Sequence, residues 1–176
     1  GSVAAIAFDV LSPDRPQQNP RAAAQPAATF IGCGHVLRMT AVREVGGYEV
    51  NPGEYGGEEK DLCLRLMDAG YQIVRLPGVH VWHDKTQRGR EIAAQHRSGV
   101  CNDLAMTLRR TPLAVLPLAL VSKLYKHLIF SLRHGLLRAC VQGITLFFRS
   151  ARQIWRSRRA VKLATLREFV RLARTS

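Results

Sequence analysis

The chain has 176 residues, of which 47% are hydrophobic and 22% charged, and a formal net charge of +13. These values fit a globular chain long enough for a sizeable core and exclude a disordered one. Four cysteines, Cys33, Cys63, Cys101 and Cys140, form no CxxC pair, which argues against a zinc ribbon or a disulfide framework and fits a reducing compartment.

The strand and loop signals come first. VAAIAFDVL (3–11) is a short apolar run closed by SPDRP and reads as a buried strand. Its start lacks the basic segment of a signal peptide. Residues 12–28 contain Pro13, Pro16, Pro20 and Pro26 and read as a loop that cannot pack regularly. ATFIGCGHVLRM (28–39) reads as a strand broken by Gly32 and Gly34, the mark of a bulge or of backbone close to a ligand. TAVREVGGY (40–48) predicts a short helix capped by Thr40 and stopped at Gly46.

A turn-rich loop then leads to GGEEKDLCLRL, which places Glu58, Glu59 and Asp61 on one turn. Leu62, Cys63, Leu66 and Met67 make one apolar helical face, so a helix is expected over 58–69 with Gly70 beyond its end. Acids in a first turn favour the helix dipole. Three like charges so close also repel, and such a cluster behind Gly56-Gly57 suits a general base or a site facing a cation. YQIVRLP and VHVWH read as two short strands separated by Pro77-Gly78.

The remainder differs. Residues 1–100 carry equal numbers of acids and bases, so the whole excess charge lies in 101–176, where Asp103 and Glu168 are the only acids. From Asn102 onward the pattern is helical, interrupted at Pro112 and Pro117, with no apolar run of the ~18–20 residues that a membrane span needs. Arg138, Gln142, Thr145, Arg149, Arg152 and Arg156 form one cationic stripe. Leu136, Leu137, Cys140, Val141, Ile144, Phe147, Phe148 and Trp155 face away from it, as in a helix lying in a membrane interface. A core-packed helix with a solvated basic face is the other reading.

The order FIGCGHVLRMTAVREVGGYEVNPGEYGGEEKDLCLRLMDAGYQIVRLPGVHVWHDKT resembles the second half of the catalytic domain of family 2 glycosyltransferases, over roughly residues 3–90. The resemblance implies an α/β fold: a partial GT-A (Rossmann-like) catalytic domain at 1–100 on the acceptor side, then an amphipathic basic helical tail at 101–176. It implies an inverting enzyme moving sugar from a nucleotide-sugar donor to a saccharide or lipid-linked acceptor, in cell-surface polysaccharide or glycolipid synthesis. Glu59 matches the general base. The family's usual residue there is Asp, so the extra methylene leaves Glu58 as the other candidate. Gly32, Cys33 and Gly34 match the small-residue strand under the donor sugar. Asp61 and Arg65 are expected to support the substrate site, Lys85 to meet phosphate, and His83 to ligate a divalent cation, Mn²⁺ or Mg²⁺, in the full-length enzyme.

No Asp-x-Asp and no glycine-rich phosphate loop occur, so the chain is expected to be a C-terminal portion, inactive alone, with the 3–11 strand at a sheet edge. The expected location is cytoplasmic, peripheral on the inner face of the cell membrane, with an anionic membrane surface and no nucleic acid as partner. The alternative is a basic helical nucleic-acid-binding or non-catalytic membrane-binding protein. It lacks any recognised nucleic-acid motif, and its tail aromatics lie apart from the arginines.

Overall fold

A computed structural model describes residues 2–12, 23–84 and 91–175. In chain order the elements are β1 (Val3–Leu11), β2 (Gln25–Pro26), β3 (His35–Leu37), α1 (Met39–Glu44), α2 (Glu58–Asp68), β4 (Gln72–Trp82), α3 (Ile92–Arg110), α4 (Leu116–Arg133), α5 (Leu137–Arg156) and α6 (Leu163–Thr175). The fold is α/β, a four-stranded sheet followed by helices. The chain divides into two compact units. One comprises Gly1–Glu49, Glu59–Arg88 and Ala164–Ser176, and the other Val50–Glu58 and Gly89–Leu163.

Unit one holds the sheet, in the order β2-β4-β1-β3. β1 is therefore an inner strand, not the edge strand expected from the sequence. It pairs in parallel with β4 and antiparallel with β3, and such non-local pairing leaves no mark in β1 itself. β4 is one strand where two were expected. The parallel register runs Phe8↔Leu76 and resumes at Asp9↔His80, so Pro77-Gly78 is absorbed as a bulge. Gly78 takes φ +123°, a value that favours glycine. β2 lies within the expected loop and pairs with β4, next to buried Ala27 and Ala28; residues 13–22 lie outside the described residues.

Small side chains on β1, Ala4, Ala5 and Ala7, are buried. So are Leu62, Cys63 and Leu66 of α2, on the apolar face its period predicts, whereas Met67 of that face is half-buried and Leu64, outside it, is buried too. α2 ends as its sequence suggests: Gly70 N–H bonds Met67 O at 3.0 Å and Tyr71 N–H bonds Leu66 O at 3.0 Å, the paired closure of a Schellman end. α1 starts two residues earlier than expected. Its N-cap is Arg38, with no side-chain cap bond, and Thr40 is inside the helix.

The helices of unit two begin at Ile92, ten residues before the expected start. α3 carries most of the core: Val100, Cys101, Leu104, Ala105 and Leu108 pack with Leu116, Cys140, Phe147 and Ile154. Pro112 follows α3 directly, as expected. Pro117 does not interrupt a helix; it sits in the first turn of α4, where its missing N–H is tolerated.

Candidate active site

In unit one the broken strand expected at 28–39 is reduced to β3 (His35–Leu37), and a tight turn at Gly32–Gly34 precedes it. Gly34 N–H bonds Ile31 O at 2.9 Å, and Phe8 N–H bonds Gly34 O at 2.9 Å, which ties the turn to β1. The two glycines serve different contacts. A Cβ at Gly34 would meet Val10 Cγ2 at 2.7 Å, whereas one at Gly32 would meet Glu59 Oε1 at 2.6 Å. The first acid-helix turn and the Gly32-Cys33-Gly34 turn are thus brought together, with a carboxylate against bare backbone. Cys33 is exposed at the tip. Glu58 is the first residue of α2 and is half-buried, like Glu59.

Asp61 and Arg65, expected to support the substrate site, are engaged inside the protein. Asp61 is 1% exposed and accepts a bond from Arg65 Nε at 2.7 Å, while the two terminal guanidinium nitrogens donate to Val45 O and Gly47 O at 2.6 Å each. The i,i+4 spacing makes the pair possible. Its role is to clamp the turn after α1 onto α2. This accounts for one of the three crowded acids: Asp61 points inward to a guanidinium, whereas Glu58 and Glu59 stay half-buried at the start of the helix.

His83 follows β4, and its main-chain N–H bonds Leu11 O at 2.8 Å. Among the described residues no three His, Cys, Asp or Glu side chains cluster as a metal site. The described residues thus give His83 no such cluster and do not make up the expected cation site. Lys85, with Arg88 and Arg90, lies outside the described residues. Asp9, at the FDV end of β1, is buried and paired with Arg75 Nε at 2.7 Å. Burial pushes the Cys63 thiol, beneath the site on α2, up to about 12, so it supplies no thiolate near neutrality.

The sequence reading missed what holds the loop leading into the acids. In unit two, Asn102 of α3 is 1% exposed. Its amide nitrogen donates to Gly53 O at 3.1 Å, Tyr55 O at 3.1 Å and Gly56 O at 2.7 Å, and its Oδ1 accepts from Gly53 N–H at 2.7 Å. A side-chain amide here replaces the partners that a strand or helix would give the 53–56 backbone. The available signal was an asparagine in the middle of an apolar helical face, beside Cys101 and Leu104.

A second missed group lies between α3 and α4. Asp103 accepts from Lys123 Nζ at 2.8 Å and from His127 Nε2 at 3.0 Å. Burial raises its carboxyl, but the bond from His127 and the Lys123 charge outweigh it and bring it down to about 2. His96 bonds Ser131 Oγ at 2.7 Å, and that hydroxyl donates to His127 O. Serine, histidine and aspartate do not form a relay here: the aspartate reaches a different histidine, and Ser131 is fully buried. This arrangement fastens helices rather than activating a nucleophile.

Residues 19–93 match a family described as the N-terminal domain of galactosyltransferase. No curated protein and no solved structure matches the chain. The matched segment contains the Gly32 turn, the acid pair and His83. The chain thus carries a glycosyltransferase-type domain.

Proposed function

We propose that the chain provides the acceptor side of an inverting glycosyltransferase of the family 2 type, with Glu59 as general base. The donor is a nucleotide sugar and the acceptor a hydroxyl of a saccharide or lipid-linked saccharide. The observation that carries the reading is the placement of Glu59 Oε1 against the bare Gly32 backbone, where sugar and carboxylate can approach one another without an intervening side chain.

The chemistry follows from that placement. The Glu59 carboxylate takes the proton of the acceptor hydroxyl as its oxygen attacks the anomeric carbon. The bond from that carbon to the nucleoside diphosphate breaks on the opposite face, and the diphosphate leaves with the bonding pair. Attack opposite the leaving group inverts the anomeric configuration. Glu58 orients the acceptor, and Cys33 at the turn tip contacts the sugar. Asp61 and Arg65 act at one remove, by fixing the helix that carries Glu59.

The test is transfer by the intact protein from a panel of nucleotide sugars, with the anomeric configuration of the product read by NMR. The reading expects product of inverted configuration. A retained configuration, or hydrolysis of a substrate that is not a sugar nucleotide, contradicts it.

A further inference from the structure

We propose that unit two docks on anionic phospholipid through one outward surface formed by α4 and α5 together. This goes beyond the catalytic reading and stands on different residues.

The surface follows from where each helix meets the core. Leu120 and Leu124 of α4 and Ile144 of α5 are half-buried against the same cluster. One position outward on α4, Val121, Tyr125, Leu128 and Leu132 recur at helical spacing, and all four are exposed, Tyr125 to 65%. On α5 the ridge through Ile144 continues as Leu137, Val141, Phe148 and Trp155, also exposed, Phe148 to 65% and Trp155 to 51%. Each helix thus carries an exposed apolar ridge beside residues that pack on that cluster.

The sequence period places Cys140 and Phe147 with this ridge. The structure separates them: Cys140, Gly143, Phe147 and Ile154 are buried in the core, and Gly143 lies directly against Arg97 O and Val100. α5 therefore has two apolar faces. The core uses one, and folding leaves the other in water. A soluble helix surface has no need of Leu, Val, Phe and Trp in one exposed row.

Charge identifies the occupant. Arg138, Arg149 and Arg156 each follow a ridge residue by one position, so the cationic stripe borders the ridge along α5. Lys126 and Arg133 are exposed on α4. Between Asp103 and Glu168 the sequence has no acid, and Asp103 is turned inward to Lys123 and His127. An apolar ridge with Trp and Phe, bordered by cations and by no acid, fits acyl chains beneath anionic headgroups. A second copy docked by the same face would bring like charges together, since neither α4 nor α5 carries an acid. Among the described residues no helix is long and apolar enough to cross a membrane, so the ridge lies along the surface.

The experiment follows Trp155 fluorescence in a Trp82→Phe background, with phosphatidylcholine vesicles containing about one third phosphatidylglycerol compared with pure phosphatidylcholine. The proposal expects a blue shift with the mixed vesicles that weakens as salt rises. Replacing Arg149, Arg152 and Arg156 by Gln should weaken binding roughly 100-fold, about fivefold per cation. Phe148→Ser with Val141→Ser should weaken it as well, with circular dichroism unchanged. Equal affinity for both vesicles, or none for either, overturns the proposal. So does tight binding of duplex DNA that ignores the serine substitutions while vesicles are not bound, or a dimer that those substitutions dissociate in the absence of any vesicle affinity.

Discussion

The carboxylate of Glu59 stands over the bare Cα of Gly32, so close that a Cβ there would lie 2.6 Å from Oε1. The nearest atom is the end of a flexible side chain, not backbone. Gly32→Ala should therefore push the Glu59 carboxylate aside at little cost to the fold. A misplacement of this size lowers kcat roughly 10- to 100-fold, while Tm stays within about 2 °C. Steady-state kinetics and a thermal melt on one preparation check both parts.

Asn102 is the opposite case, a residue that acts through the 53–56 backbone and has a large effect on stability. Asn102→Ala leaves the Gly53 N–H and three carbonyls without their partner. The expected loss is about 2–4 kcal/mol, seen as a lower urea midpoint with an unchanged slope. Asn102→Asp keeps the acceptor for Gly53 N–H but loses every donated bond, so it should not rescue stability.

The Asp103 carboxyl lies at about 2, below its ordinary value. A depressed carboxyl contributes stability that is complete above its unfolded value near ~4 and disappears as pH falls toward the folded one. Acid titration by circular dichroism should thus show helix stability falling between about pH 4 and pH 2, by about 2 kcal/mol in total for this group. Asp103→Asn should be less stable at neutral pH and flatter across that window.

Of the four thiols, Cys33 is exposed, while Cys63, Cys101 and Cys140 are buried. Burial also raises Cys63 to about 12 and Cys101 to about 11. N-ethylmaleimide should label Cys33 alone in the native protein and all four after denaturation, as mass spectrometry of the intact chain will show. Donor sugar should slow the labelling of Cys33.

Local signals in the sequence were legible where a local cause fixed the structure. The period of Leu62, Cys63 and Leu66 with Gly70 beyond them gave α2 to within a residue, because helix face and helix stop both act within a few positions. Pro77-Gly78 misled for the same reason. The two residues look like a break, but β1 holds β4 on both sides of them through pairing some seventy residues away in sequence. Asp61 and Arg65 could be seen as an i,i+4 pair, yet their carbonyl partners at Val45 and Gly47 could not. On α5 the period found the cationic stripe, but not which apolar residues α3 would cover. That division depends on packing within unit two.

Replacing Glu59 and Glu58 one at a time by Gln in the intact protein, and measuring kcat for sugar transfer together with donor affinity, tests the central claim most directly. Glutamine keeps size and removes the proton acceptor. Glu59→Gln should lower kcat roughly 10²–10⁴-fold with donor affinity unchanged, and Glu58→Gln should cost about tenfold or less. Full activity in Glu59→Gln with the large loss in Glu58→Gln would contradict the assignment of the base to Glu59, and full activity in both would contradict carboxylate base catalysis at this helix altogether.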